Sequence, residues 1–183
     1  MSPVPPPREH RARFDRRDHA PRLWERGDVP GVYRRRIHLR AEAGGRLTGE
    51  LEDDFHHFRV ELDHDGEMIT HVAGFGVRAP WTTCLDAGDP LRMLLGTRVR
   101  TGPAALRGLD ARQNCTHMFD LAGLLVAHGG RGGLGDRVYD IAIDDADPAT
   151  GERVARLWRD GDALLEWRLR DREILSPGEW RDA

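Results

Sequence analysis

Residues 53–66 read DDFHHFRVELDHDG, and this stretch decides the fold. Phe58, Val60 and Leu62 alternate with charged residues, which is the period of a strand with one buried face. The Asp65-Gly66 pair that follows is typical of a hairpin turn. Similar short alternating segments lie on either side, at residues 33–39, 47–52 and 69–77. The sequence therefore predicts an antiparallel β meander.

The middle of the chain predicts helices. Asp89-Pro90 is typical of an N-cap with a proline in the first turn, and an apolar stripe of leucines continues to Gly96. Asp110 opens a capping-box pattern, and the apolar residues from Cys115 recur at helical spacing until Gly129. Two or three alternating strands follow. The predicted fold class is α+β, an antiparallel β meander packed against two or three helices, with a C-terminal antiparallel β extension.

The length of 183 residues fits one domain with tails. Residues 1–30 are rich in Pro, Arg and Asp and show no apolar period. We therefore expect a disordered or loosely packed tail that the domain does not need for folding. A single α+β domain is predicted at 31–175, and a C-terminal tail at 176–183.

Composition excludes several kinds of chemistry. All 28 basic residues are arginine, which excludes a Schiff-base lysine and a phosphate-loop lysine. The only serines, Ser2 and Ser176, lie in the predicted tails, so no serine nucleophile is expected. The net charge of −3 and the acidic residues interleaved in the first tail argue against a nucleic-acid partner. No apolar run approaches the ~20 residues of a membrane helix, and the start lacks the apolar centre of a signal peptide. We expect a cytoplasmic protein with no membrane contact.

Residues 130–135 read GRGGLG and match the G-x-G-x-x-G pattern of dinucleotide-binding folds. In those folds the glycines follow a strand and open a helix, because the pyrophosphate sits on the helix N-terminus. Here a predicted helix precedes the glycines and a predicted strand follows them. We interpret them as a helix end and a flexible linker.

The two cysteines are either candidate metal ligands or small core residues. Cys84 precedes the first predicted helix, and Cys115 lies at the start of the second. Unpaired amides at a helix N-terminus favour the thiolate, which is the form that binds metal. His117, two residues beyond Cys115, adds an imidazole that can bind metal or carry a proton.

A carboxylate and an imidazole stand at the start of residues 53–66. If the strand includes them, Asp54 and His56 share its inward face with Phe58. Burying them unpaired would cost several kcal/mol, so they need a metal ion, a mutual hydrogen bond or an arginine. His57 points to the opposite face, and its replacement by alanine is expected to leave the metal content unchanged.

Four short blocks of sequence follow one another: GVYRRR at 31–36, DFHHF at 54–58, PWTTC at 80–84 and NCTH at 114–117. In this order they resemble the bacterial family catalogued as domain of unknown function 2889. The resemblance extends from about Gly31 to beyond residue 170. It implies a bacterial domain without implying a reaction.

The order of meander, cysteine, helix ending in glycine, and second cysteine at a later helix is similar to that of iron–sulfur scaffold proteins of the IscU/NifU type. This more distant resemblance places Asp54 on the ligand aspartate of the scaffold, and Cys84 and Cys115 on two of its cysteines. It places Glu52 where the scaffold has its first cysteine. Because two thiolates remain instead of three, the resemblance implies a single zinc ion, as in related zinc-binding members, rather than cluster assembly.

The sequence leaves three functions open. The first is a metal-dependent hydrolase, lyase or isomerase that acts on a small organic substrate. In it Asp54, Cys84 and Cys115 would hold zinc or iron, and His56 and His117 would be catalytic proton carriers or a fourth ligand. The second is a non-catalytic scaffold or carrier for a metal or an iron–sulfur cluster. The third is a binding module without metal, and a homo-oligomer is compatible with all three.

Overall fold

The computed structural model describes residues 31–102, 106, 108–132 and 135–176. Their strands are β1 (Val32–Glu42), β2 (Arg46–Asp53), β3 (His57–His64), β4 (Ile69–Arg78), β5 (Gly135–Asp144), β6 (Glu152–Arg159), β7 (Asp162–Arg170) and β8 (Glu173–Ser176). All eight form one antiparallel sheet in the order β4-β3-β2-β1-β5-β6-β7-β8. The helical segments in the described ranges are α1 (Thr116–Gly129) and three short 3-10 helices, at Thr82–Asp86, Asp89–Leu94 and Ala111–Gln113.

The predicted fold class is wrong in its balance of helix and sheet. The protein is not a meander packed against two or three helices of IscU/NifU type, because a single sheet dominates the described chain. The predicted C-terminal β extension is half of that sheet. Strand β1 pairs with β2 on one side and with β5 on the other, which joins the two halves edge to edge.

Of the two predicted helices, the first is a short 3-10 helix and the second contains an α-helix. The segment Asp89–Leu94 is a 3-10 helix of six residues, too short to compensate for the nucleation of an α-helix. Its buried Leu91 and Leu94 are three residues apart, a spacing that suits the 3-10 repeat. Asp110 accepts a hydrogen bond from the amide of Arg112 and caps another 3-10 helix. The α-helix begins only after Cys115, and it ends at Gly129 as predicted.

The alternation in residues 53–66 correctly identified the core face of β3. Phe58, Val60 and Leu62 are at most 1% exposed. Helix α1 covers this face across β1, β2 and β3 with six buried side chains: Met118, Phe119, Leu121, Ala122, Leu125 and Val126. The approach is close at Gly49 of β2, where an added Cβ would lie 2.9 Å from Cδ1 and Cγ of Leu125.

Several predictions concern the ends and connections of the chain. The predicted tail at 1–30 lies outside the described residues, as do residues 177–183, so the domain limits stay predictions. The glycine-rich stretch follows α1 and precedes β5, the reverse of the dinucleotide-binding order. Among the described helices, none combines the length and the apolar character that a membrane crossing requires.

Candidate functional site

The carboxylate of Asp53 is the centre of a hydrogen-bonded cluster at the end of β2. Its Oδ1 accepts the amides of Phe55 and His56, at 2.9 and 2.7 Å, and the Nδ1 of His56 at 3.0 Å. Its Oδ2 accepts the hydroxyl of Tyr33 at 2.9 Å and Nη2 of Arg35 at 2.8 Å. Tyr33 and Arg35 come from β1, where Arg35 lies directly opposite Asp53. Two strands and a turn therefore converge on one carboxylate.

The local fold follows from the hydrogen bonds of Asp53. An aspartate that accepts amides two and three residues ahead closes a tight turn. The chain consequently leaves β2 at Asp53 and enters β3 at His57, and the amide of Asp53 donates to the carbonyl of His56 at 2.8 Å. Asp54 and His56 thus lie in the connection, although the strand pattern placed them on β3.

Asp53 is ionised although its side chain is only 1% exposed. Burial alone would raise the pKa of its carboxyl. The hydrogen bonds from the two turn amides, from Tyr33 and from Arg35 outweigh burial and lower the pKa to about 2. Burial together with the negative charge of Asp53 raises the pKa of the Tyr33 hydroxyl to about 12, so Tyr33 stays a hydrogen-bond donor.

A second imidazole stacks against His56. His117 lies in the first turn of α1, and its ring centroid is 4.3 Å from that of His56. The ring of Phe58 lies 5.5 Å from each of the two imidazoles, nearly parallel to both. Burial, with a smaller electrostatic influence of the neighbouring His56 and Arg35, lowers the pKa of His117. A neutral imidazole has a free nitrogen lone pair, which is what metal binding and proton acceptance both require.

Asp53, His56 and His117 each offer a ligand atom, and these atoms lie within 4.8 Å of one another. Within the described residues, this is the one such group of three histidine, cysteine or carboxylate side chains. Two imidazoles and one carboxylate are a ligand set for zinc or non-haem iron that leaves coordination positions open. The same groups without a metal form a carboxylate-oriented imidazole, the arrangement of a general base. Because the two oxygens of Asp53 already accept five hydrogen bonds, a metal ion would have to replace one of them, whereas the acid–base arrangement uses them as they stand.

The structure brings together the two predicted catalytic residues but not the three predicted metal ligands. His56 and His117 are in the cluster, whereas Asp54, Cys84 and Cys115 are not among its members. Asp54 accepts the amide of Arg34 at 3.3 Å. Both cysteines are free thiols, half-buried and packed against the hydrophobic core. Whether any of these five residues binds metal or takes part in catalysis stays a prediction.

Sequence reasoning missed Asp53, Tyr33 and Arg35. The period-two pattern of β1 and β2 could have indicated them. Asp53 continues the series of inward-facing residues of β2, and Tyr33 and Arg35 continue that of β1. Asp53 is a buried strand residue that is followed at once by a tight turn. Recognition of this feature would have identified Asp53, rather than Asp54, as the carboxylate of the site.

The chain was compared with known proteins. No protein-family model matches it, and no curated protein sequence matches it.

Proposed function

We propose that Asp53, His56 and His117 bind a catalytic zinc or iron ion, and that the protein is a cytoplasmic metal-dependent enzyme acting on a small organic molecule. The observation that carries the proposal is the convergence of three ligand atoms within 4.8 Å from three separate places: the end of β2, the β2–β3 turn and the start of α1. Converging ligands from distant segments are costly to bury together unless they serve a site.

The surroundings of the three side chains favour a catalytic ion over a purely structural one. Structural zinc sites are usually closed by four protein ligands, whereas catalytic sites have three and leave a position for water or substrate. Such an ion can polarise a carbonyl group or activate water. Tyr33 and Arg35 hold Asp53 from behind, which is the outer-sphere support that orients ligands in metal enzymes.

A metal-free acid–base site is the second candidate, and one specific contact favours it. Nδ1 of His56 lies 3.0 Å from Oδ1 of Asp53, so the ionised carboxylate fixes the tautomer that leaves Nε2 as the proton acceptor. In this arrangement His56 is the general base and Asp53 its orienting group, while His117 stays a neutral neighbour. The substrate class is the same, a small molecule that must lose or gain a proton.

Titration with Co²⁺ tests the metal proposal and separates it from the cysteine-based alternative. Protein stripped with a chelator is expected to bind one equivalent of Co²⁺, with visible d–d absorption. Because the proposed ligands are nitrogen and oxygen, we expect no intense thiolate-to-cobalt charge-transfer band. Zn²⁺ should compete for the same site and abolish the visible spectrum.

Matched variants on one helix supply the control. His117→Gln is expected to weaken Co²⁺ binding by about 100-fold. His128→Gln, at the other end of α1, should leave it unchanged, because His128 contacts the carbonyl of Gly135 at 3.2 Å and is not in the cluster. Unchanged affinity in His117→Gln, or a strong thiolate band in the wild type, would refute the proposed ligands. Absence of stoichiometric binding, with the Nδ1 proton of His56 still protected in NMR spectra, would instead favour the metal-free site.

A further inference from the structure

Arg78, the last residue of β4, binds the turn that carries the site from the side opposite the cluster. Its Nη1 donates to the carbonyl of Asp54 at 3.0 Å. Its Nη2 lies 2.8 Å from the carbonyl of Asp53 and 3.3 Å from that of His56. One guanidinium group therefore contacts three of the four main-chain carbonyls between Asp53 and His56.

A bulge in β4 places Arg78 in this position. His57 of β3 is opposite Arg78, but the next residue, Phe58, is opposite Gly76. Val77 is therefore the extra residue of a β-bulge, a feature that redirects side chains and is frequent beside active sites. In a regular ladder Val77 would be opposite His57, and the residue beside the turn would have no hydrogen-bond donors in its side chain.

The position of the guanidinium is fixed by an ion pair on the polar face of the sheet. Nη2 of Arg78 also lies 3.0 Å from Oε1 of Glu52, whose side chain is only 5% exposed. Glu52 precedes Asp53 and lies opposite His57. Arg78 is thus anchored to β2 at the residue next to the central carboxylate of the site.

We propose that Arg78 is a positioning residue, which holds the β2–β3 turn in the form that presents Asp53 and His56 to His117. This inference rests on the proposed function for its catalytic meaning. The geometry is independent of that function, since the contacts of Arg78 with the turn involve protein atoms alone. The planar fork of arginine reaches carbonyls on two sides, whereas the ammonium of lysine is a single point of donation.

Two variants of Arg78 and one control test this role. Arg78→Lys keeps the positive charge beside Glu52, and Arg78→Gln removes it. Arg46→Gln is the matched control, because Arg46 of β2 also pairs with a poorly exposed glutamate, Glu61 of β3, at 2.7 Å, but at the end of these strands away from the turn. Stability loss from a broken ion pair is common to Arg78→Gln and Arg46→Gln, whereas disturbance of the turn is specific to the two Arg78 variants.

The first measurement is amide hydrogen exchange in the chelator-treated protein, followed by NMR. The amides of Phe55 and His56 donate to Asp53, and they are expected to exchange at least tenfold faster in both Arg78 variants than in the wild type. Arg46→Gln should leave these two rates unchanged. Equal rates in wild type and Arg78 variants would overturn the inference. The same holds for a rise of equal size in Arg46→Gln, which would indicate general loosening.

The second measurement is the Co²⁺ dissociation constant of the folded variants. It is expected to rise about 10- to 100-fold in Arg78→Gln, the range found when supporting residues of metal sites are replaced. Arg78→Lys should recover the thermal stability without recovering the affinity. If the Co²⁺ affinity instead falls in proportion to the thermal stability in every variant, Arg78 has a structural role only. If the wild type binds no Co²⁺, the proposed metal function fails, and the exchange rates still decide whether Arg78 holds the turn.

Discussion

Replacement of Asp53 by asparagine is expected to destabilise the metal-free protein far more than the same replacement at the adjacent Asp54. The two oxygens of the Asp53 carboxylate accept five hydrogen bonds. Asparagine has the same shape but no charge, and its amide nitrogen donates where Asp53 only accepts. Whichever way the amide is turned, this nitrogen faces Arg35 or the donors of the turn.

The cost of losing the charge of Asp53 follows both from its ion pair and from its pKa. Neutralising one partner of a fully buried ion pair costs about 3–5 kcal/mol, and the partial exposure of Arg35, 26%, reduces that figure. The pKa of the Asp53 carboxyl leads to a similar figure. It is about 2 in the folded protein against the ordinary value of 3.8, which corresponds to about 2 kcal/mol of stability at neutral pH. We therefore expect Asp53→Asn to lower the free energy of unfolding by about 2–3 kcal/mol.

The pH dependence of this effect has a definite sign. Because folding lowers the pKa of Asp53, the stabilisation is complete above the pKa of the unfolded state, near pH 4. It is lost as the pH falls toward 2, where the folded protein also takes up the proton. The difference in stability between wild type and Asp53→Asn should therefore be full at pH 7 and distinctly smaller at pH 3.

Urea denaturation in the presence of a chelator, at both pH values, measures the difference. Asp54→Asn serves as the matched control, since Asp54 is half-buried in the turn and accepts the amide of Arg34 at a long 3.3 Å. Its expected cost is below about 1 kcal/mol. Equal losses at positions 53 and 54, or a difference that does not shrink on acidification, would refute the assignment of Asp53 as the central charge.

Two further substitutions test the packing around the site. Phe58→Leu removes the ring that stacks on both imidazoles. It is expected to lower the free energy of unfolding by about 1–2 kcal/mol in urea denaturation and to weaken Co²⁺ binding several-fold. An unchanged cobalt affinity would show that the stacking does not orient the histidines. Gly49→Ala adds a methyl group 2.9 Å from two atoms of Leu125 beneath α1, and its expected loss of about 1–3 kcal/mol outweighs the smaller gain in backbone entropy. A rise in melting temperature for this variant would contradict the close approach of helix and sheet.

The strands near residues 53–66 could be predicted from the sequence because one face is buried and the other polar. Alternation identified Phe58, Val60 and Leu62 correctly. The same rule failed at the strand end, where it assigned Asp54 and His56 to β3. The Asp53 carboxylate accepts the amides of Phe55 and His56 and thereby closes a turn, and a pattern of apolar residues does not report these hydrogen bonds.

The balance of helix and sheet could not be predicted because it depends on pairing between distant segments. The strands after the glycine-rich stretch were recognised, but nothing local indicates that β5 pairs with β1. Likewise, the sequence places His117 on an amphipathic helix but does not indicate which residue of the sheet it contacts. Its contact with His56 depends on where α1 crosses the sheet, which is fixed by Gly49 and the leucines above it.

The central place of β1 has a consequence for the order of folding. Neighbouring strands elsewhere in the sheet are also neighbours along the chain, so their pairing closes short loops, such as the three residues between β2 and β3. The contact between Arg36 of β1 and Asp140 of β5 instead spans 104 residues. For flexible connections, closing a loop of that length costs roughly 3 kcal/mol more than closing the turn. We therefore expect the two hairpin arrays to form first and their joining along β1 and β5 to be the slower, later step.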